Sequence, residues 1–133
     1  MNEEQPPFWD EKNSLFLITD DSKIPAISAG EFLFLESRGN YLHIFCEKSG
    51  IIKEYKLRNT VKEFRETNGH IPTLFHCHRA FLVNLMRIIH IEGNAAGYLL
   101  EMHPEIKKIP VSRSKISEFK QVLKFIKINP KNT

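Results

Sequence analysis

The 133-residue sequence predicts a single, mostly β domain of small antiparallel sheets with two helices. Two observations predict this fold class. Aliphatic and aromatic runs recur about every 8–12 residues with turn residues between them, a spacing typical of antiparallel strands. Two other segments, near residues 60–68 and 114–127, carry apolar residues at helical spacing instead. A chain of this length can bury a substantial core.

Five strands are predicted in the first half of the chain, over residues 15–19, 24–28, 32–36, 41–47 and 51–57. Each is an apolar run bounded by turn residues, such as Gly39 and Asn40 between the third and fourth runs. The third run is apolar on both faces, since Phe32 to Leu35 contain no polar residue. We therefore expect that strand to lie between two packed layers.

A short helix is predicted over residues 60–68. Thr60 and Glu63 have the spacing of a capping box, in which each side chain satisfies a backbone N–H at the start of the helix. Val61 and Phe64 follow at helical spacing, and Gly69 is placed to end the helix.

The second half predicts three more strands, over residues 87–92, 98–102 and 107–111, with a hairpin turn at residues 93–97. An amphipathic helix over residues 114–127 follows. One face of it is apolar and carries Ile116, Phe119, Val122, Leu123 and Ile126, while lysines lie off that face.

The predicted domain covers residues 13–127, between an N-terminal tail or linker at 1–12 and a C-terminal tail at 128–133. No apolar run approaches the ~20 residues that span a bilayer. The N-terminus lacks the basic and apolar regions of a signal peptide, so we expect a cytoplasmic protein without a membrane partner.

Charge is distributed unevenly along the chain. Residues 1–50 carry four Lys/Arg and nine Asp/Glu, a net −5, whereas residues 51–133 carry fifteen and seven, a net +8. Such asymmetry is typical of nucleic-acid contact from the basic part, but a solvated basic face has the same composition. Charge alone does not separate these two interpretations.

The motifs of an enzyme or a metal protein are missing from the sequence. It has no Gly-x-Ser-x-Gly elbow and no Gly-rich phosphate loop, so we expect neither catalysis nor a cofactor. His76 and His78 would share one side of a strand, yet no other histidine has ligand spacing, so ordinary hydrogen-bonded histidines are favoured over a metal site. Cys46 and Cys77 lie in apolar surroundings and predict buried free thiols.

Three cationic turns point to a polyanion. They comprise residues 36–41, 75–84 and 110–115, and the last joins a strand to the predicted C-terminal helix. Arginine can grip guanine through two parallel hydrogen bonds, and N–H groups at a helix start favour phosphate. One such turn would suit an ordinary surface loop, whereas three together favour DNA. The candidate contacts are Arg38, Asn40, Tyr41, His76, Arg79, Arg113, Ser114 and Lys115.

Four patches resemble the LytTR family of bacterial DNA-binding domains. They lie at residues 34–41, 57–64, 75–84 and 109–113, in the family's order. The third is similar to the family's His-Arg-Ser-Phe-Leu-Val-Asn motif, with Ala80 where the family usually has serine. The resemblance covers about residues 13–126 and implies an elongated LytTR-type β sandwich that puts loops, not a helix, into successive major grooves of duplex DNA.

The resemblance also implies a role for each candidate residue. Base contacts would come from the Asn40–Tyr41 turn, Arg79 and Arg113. Phosphate contacts would fall near Arg38, His76, Ser114 and Lys115, while Phe81, Val83 and Asn84 would hold the second loop. Family members bend DNA and act as two copies on repeated half-sites, so a homodimer on DNA is implied.

The upstream signal and two other functions stay open. Many family members join this domain to an N-terminal receiver domain that is phosphorylated on aspartate, and residues 1–12 are too few to form one. Either the chain is the output domain of a longer regulator with a receiver domain or sensor kinase upstream, or it stands alone. The alternatives to DNA binding are a protein-interaction module and a thiol or metal sensor.

Overall fold

A computed structural model describes residues 15–94 and 96–124, which form two antiparallel sheets and two α-helices. The large sheet has the order β3-β2-β1-β5-β4, and the small sheet has the order β6-β7-β8. The elements are β1 (Phe32–Arg38), β2 (Tyr41–Lys48), β3 (Ile51–Arg58), α1 (Val61–Thr67), β4 (Leu74–His78), β5 (Phe81–Asn84), β6 (His90–Asn94), β7 (Gly97–Glu101), β8 (Ile109–Val111) and α2 (Ile116–Leu123). The predicted mostly β class with antiparallel sheets is confirmed.

The large sheet separates two hydrophobic cores. The first core lies between one face of the large sheet and α1 with the segment 15–29. The second core lies between the opposite face and the small sheet with α2. Phe32 and Leu35 belong to the first core, whereas Leu33 and Phe34 belong to the second. An irregularity in the β1–β2 register between Phe32 and Phe34 breaks the alternation and places two successive residues in one core. The prediction that this run lies between layers is confirmed.

The two strands predicted at residues 15–19 and 24–28 are wrong as strands. They meet in one isolated bridge, Phe16 with Ser28, and in the flanking bond from the Leu17 N–H to the Ile27 carbonyl at 2.9 Å. The buried Asn68 side chain explains the short pairing. Its Oδ1 accepts from the Ile18 N–H at 2.7 Å and its Nδ2 donates to the Ile18 carbonyl at 3.1 Å. The Ile18 backbone groups are therefore bonded to the end of α1, not to a second strand.

Helix α1 lies where the sequence predicted it, with two local differences. The Thr60 hydroxyl accepts from the Glu63 N–H at 3.1 Å, but the Thr60 N–H donates to the Asn59 side chain at 2.8 Å, so only half of the capping box forms. The helix ends at Asn68, directly before Gly69 as predicted, but its cap is the Asn68 side chain, which donates to the Phe64 carbonyl at 3.0 Å, and not a left-handed glycine.

In the second half, β6, β8 and the C-terminal helix are shorter than predicted, while β7 has the predicted length and begins one residue earlier. β6 begins at His90, since Leu85–Arg87 form a 3-10 turn that the Asn84 side chain caps through the Met86 N–H at 3.1 Å. The C-terminal helix begins at Ile116 and not at residue 114, because Arg113–Lys115 close a 3-10 turn through the bond from the Lys115 N–H to the Ser112 carbonyl at 2.8 Å. The predicted tails, residues 13–14 and residues 125–127 of that helix lie outside the described residues.

Candidate nucleic-acid interface

The first turn joins β1 to β2. Arg38 pairs with Tyr41 across the ladder, which leaves Gly39 and Asn40 as a two-residue loop. Gly39 has a φ of +59°, a conformation that glycine adopts without strain. Asn40 is exposed, and the Arg38 guanidinium is bonded to the Glu36 carboxylate at 2.9 Å.

Tyr41 lies against two cations that the sequence analysis did not select. The Lys56 ammonium is 4.4 Å from the ring centroid of Tyr41, and the Arg58 guanidinium is 5.8 Å from it. Arg58 is the direct cross-strand partner of Tyr41 on β3. The signal that could have found this pair is alternation in β3, where the buried Leu57 separates two exposed basic residues.

The second turn, Arg79-Ala80, joins β4 to β5 and is bonded to the first. The Ser37 N–H donates to the Ala80 carbonyl at 2.8 Å, which extends the pairing of β1 with β5 into the turn. The Ala80 N–H donates to His78 Nδ1 at 3.1 Å. Arg79 itself is exposed. The turn is therefore fixed from both sides while its arginine side chain remains open to solvent.

His76 lies beside the second turn and contacts its backbone. Its Nδ1 is 3.4 Å from the Arg65 guanidinium, and its Nε2 is 3.4 Å from the Arg79 carbonyl. Because a guanidinium only donates, Nδ1 must accept and Nε2 must carry the proton. Burial lowers the pKa of His76, the Arg79 carbonyl raises it, and the positive charges of Arg65 and Lys115 lower it further. The net lowered pKa fits a neutral imidazole.

The two histidines of β4 do not share one set of neighbours. His76 contacts Arg65 of α1, whereas the His78 ring lies 5.5 Å from the Phe81 ring in an edge-on arrangement. The expectation that simple alternation places them side by side is wrong, because the β4–β5 register shifts between Phe75 and His78. Within the described ranges, no group of three or more His, Cys, Asp or Glu could hold a metal ion.

The third turn, residues 112–115, is bonded to the edge of β4. The Ser112 N–H donates to the Cys77 carbonyl at 2.9 Å, and the Cys77 thiol donates to the Pro110 carbonyl at 3.5 Å. Arg113 and Ser114 are exposed. The Lys115 ammonium lies 3.6 Å from the Glu118 carboxylate, one turn further along the chain.

These contacts bring the three turns to one end of the large sheet, which we call the turn edge. β1 ends at Arg38 where the antiparallel β5 begins, and Ser112 is bonded to Cys77 next to the end of β4. Along this edge the strands follow in the order β2, β1, β5 and β4, and the third turn lies beyond β4. At ~5 Å per strand, the four steps from Tyr41 on β2 to the third turn cover roughly 20 Å. The structure therefore brings together all three predicted turns.

Both cysteines are free and buried, each in a different core. Burial raises the pKa of the Cys77 thiol to about 12 and also raises that of Cys46. A sensor thiol needs a lowered pKa and solvent access, and neither cysteine has them. In the part of the chain that the structure describes, no helix has both the length and the apolar character to cross a bilayer.

Comparisons with known proteins agree on one family and one fold. A family model described as the LytTr DNA-binding domain matches residues 22–124. The chain is 24% identical over 115 residues to Transcriptional regulatory protein YpdB of Escherichia coli K12, covering 84% of this chain and 44% of that protein. The protein of the same name from Shigella flexneri matches equally. The chain thus spans less than half the length of these curated relatives.

A solved structure is similar over most of both chains. It is described as the LytTr DNA-binding domain of a response regulator from Bacillus cereus, with a TM-score of 0.60 and 24% sequence identity. The similarity covers 82% of this chain and 94% of that one. At this identity the match establishes the shared fold.

Proposed function

The chain belongs to the LytTR family of DNA-binding domains, and we propose that it recognises a specific duplex sequence for a bacterial transcription regulator. The observation that carries this proposal is the turn edge, where three separate stretches of backbone present exposed polar and cationic side chains together. Two turns start from adjacent strands and the third is bonded to β4, so their side chains can enter DNA grooves as one rigid unit.

We assign the base contacts to one or two residues of each turn, as the family resemblance implies. These are the exposed Asn40, Arg79 and Arg113, together with the half-buried Tyr41. Arg38, Ser114 and Lys115 flank them and would contact phosphates, which set the position of the protein but not its sequence preference. The half-buried His76 is already bonded to Arg65 and to the Arg79 carbonyl, so we give it the role of holding the second turn for a phosphate contact there.

The biological setting is proposed from the relatives. Their names describe transcriptional regulation, and we propose the same role for the protein that contains this domain. We further propose that two copies occupy repeated half-sites in the cytoplasm and that a receiver domain or sensor kinase supplies the signal. Catalysis has no part in this role.

Site selection from random duplex DNA tests the function directly. We expect an enriched motif at moderate salt, and a pool without any enriched motif would contradict sequence-specific binding. The affinity should also fall steeply with salt, because each neutralised phosphate releases condensed counterions.

Paired substitutions test the assigned roles on the selected site. Arg113→Ala should cost about 1–3 kcal/mol of binding free energy and relax the preference at one base position. Lys115→Ala should weaken all sequences alike and reduce the salt slope by about 1. Lys53→Ala is the matched control, since Lys53 is exposed on β3 five residues from the strand end at the turn edge. Uniform weakening by Arg113→Ala would assign that arginine to phosphate.

A further inference from the structure

We propose that Glu36 is a built-in counter-anion of the turn edge, which holds Arg38 and Lys107 until a DNA phosphate takes one of them. Lys107 then becomes a DNA contact from outside the three turns, and Glu36 becomes a determinant of specificity. The inference rests on the proposed function and adds to it a residue that restrains binding to the wrong sequence.

The geometry places one carboxylate between two cations. Glu36 Oε1 is 2.9 Å from the Arg38 guanidinium and 3.2 Å from the Lys107 ammonium. The side chain of Glu36 is only 14% exposed, whereas those of Arg38 and Lys107 are 48% and 60% exposed. A ligand arriving from solvent can therefore reach both cations, while the carboxylate lies beneath them.

Lys107 reaches this position from the connection between β7 and β8. Its ammonium lies 5.6 Å from the centroid of the Phe81 ring, and Phe81 is the cross-strand partner of Glu36 at the start of β5. Phe81 directly follows the Arg79-Ala80 turn. The Lys107 ammonium is thus held on the large sheet beside the second turn, although the lysine belongs to a different part of the chain.

Glu36 keeps its charge at neutral pH. Burial tends to raise the pKa of its carboxyl group, but hydrogen bonds and charge attraction from Arg38 and Lys107 outweigh burial and hold the pKa below its ordinary value. Ion pairs with an exposed partner are weak. A phosphate placed by correct base contacts can therefore take Lys107, the more exposed of the two cations, from Glu36. Arg38 remains to neutralise the carboxylate, and the other N–H groups of its guanidinium can still contact a phosphate.

Glu36 would help the protein discriminate between DNA sequences because specific and non-specific binding depend on the two cations to different extents. Non-specific binding depends almost wholly on cations that phosphates can use, so a carboxylate that occupies two of them weakens it most. Specific binding adds base contacts, and their free energy offsets the cost of separating a cation from Glu36. Specificity is the difference between these affinities, and it can be raised by weakening the wrong complex.

The test compares Glu36→Gln with the unchanged protein on the selected site and on a scrambled duplex, over a series of salt concentrations. Glu36→Gln should bind the scrambled duplex several-fold more tightly, with a salt slope steeper by about 1. The ratio of specific to non-specific affinity should fall. An unchanged ratio and an unchanged slope would overturn the proposal.

Glu92→Gln is the matched control. It removes the same charge and frees Lys108, which pairs with Glu92 between the small-sheet strand β6 and the residue before β8. If Glu92→Gln changes the ratio as much as Glu36→Gln does, overall charge explains the effect and the proposal fails.

Lys107→Ala supplies a second test that does not depend on the folding of Glu36→Gln. It should weaken binding and make the salt slope shallower by about 1, while Lys108→Ala should leave the slope unchanged. A slope unaffected by Lys107→Ala excludes the lysine from the DNA contact.

If the unchanged protein shows no sequence preference at all, the proposed function itself fails. If the unchanged protein selects a motif but Glu36→Gln leaves the affinity ratio unchanged and Lys107→Ala leaves the salt slope unchanged, only this inference is overturned.

Discussion

Buried polar side chains hold irregular backbone segments of this domain in place through hydrogen bonds. Asn84 donates from Nδ2 to the carbonyls of Ala29 and Phe32, both at 2.8 Å, and is 1% exposed. It lies at the end of β5 away from the second turn, so it fixes the chain before β1 and does not touch the loop that the family resemblance implied. Buried amides with satisfied hydrogen bonds specify one arrangement of the chain, because leaving either partner unpaired would cost free energy.

The thiols give a prediction at this same scale. Cys77 is fully buried and Cys46 is 4% exposed, and burial raises the pKa of both. In the native protein we expect both thiols to react with a water-soluble disulfide reagent at least an order of magnitude more slowly than in the unfolded chain, because the thiolate is the reactive form.

Ellman's reagent with and without denaturant measures this difference in thiol reactivity. DNA affinity before and after mild oxidation is the second measurement, and it should not change. A native thiol that reacts at the unfolded rate, or an affinity that oxidation alters, would support the thiol-sensor alternative instead.

At the scale of elements, local patterns were predicted well and long-range contacts were not. The hairpin turn at Gly39-Asn40 and the Thr60 cap depend on a few neighbouring residues, and both form. The strand predicted at residues 24–28 failed because a side chain 50 residues from Ile18 bonds to the backbone with which that strand would pair. Such competition cannot be seen in a local window of sequence.

The residues of the candidate site show the same contrast between local patterns, which were predicted, and long-range contacts, which were missed. Arg79 and Arg113 were selected because each lies in a recognisable turn. Lys56, Arg58 and Lys107 were missed because their importance comes from cross-strand or cross-sheet partners, namely Tyr41 for the first two and Glu36 for the third. Sequence therefore indicates where the turns lie, and the fold shows which charges surround them.

The cap of α1 gives the prediction at this scale. Thr60→Ala should lower the free energy of unfolding by about 1 kcal/mol, because the Glu63 N–H loses its bond to the Thr60 hydroxyl. The helix has only seven residues, so its remaining stability comes from packing Val61 and Phe64 into the core. Urea unfolding measures the change. Thr60→Ser keeps the hydroxyl, and a serine variant as unstable as the alanine variant would contradict the cap.

At the scale of the whole molecule, the turn edge is rigid because both faces of the large sheet are covered. β1 lies at the centre of that sheet, with β2 on one side and β5 on the other. Its side chains enter both cores, so the first and second turns cannot shift independently of the core. Ser112 then couples the third turn to β4 through the Cys77 carbonyl. A rigid protein surface leaves the DNA as the partner that must adjust.

The size of the turn edge predicts how far the DNA must adjust. The first and third turns are separated by roughly 20 Å of strand spacing. Successive major grooves on one side of straight B-DNA lie ~34 Å apart. If the first and third turns enter successive grooves, the duplex must bend towards the protein, at a cost of order 1–6 kcal/mol that depends on the sequence being bent.

This cost gives the prediction for the complex as a whole. Replacing a flexible TA step by a stiff A-tract at an uncontacted position between the two grooves should weaken binding by about 1 kcal/mol or more. Fluorophores at the two ends of the duplex should move closer together on binding. Lys53→Ala should bend the duplex as the unchanged protein does, since Lys53 lies off the turn edge. A duplex whose ends keep their distance, with affinity indifferent to the central step, would mean that the turns share one groove, because an edge of roughly 20 Å is shorter than the ~34 Å between successive grooves of a straight helix.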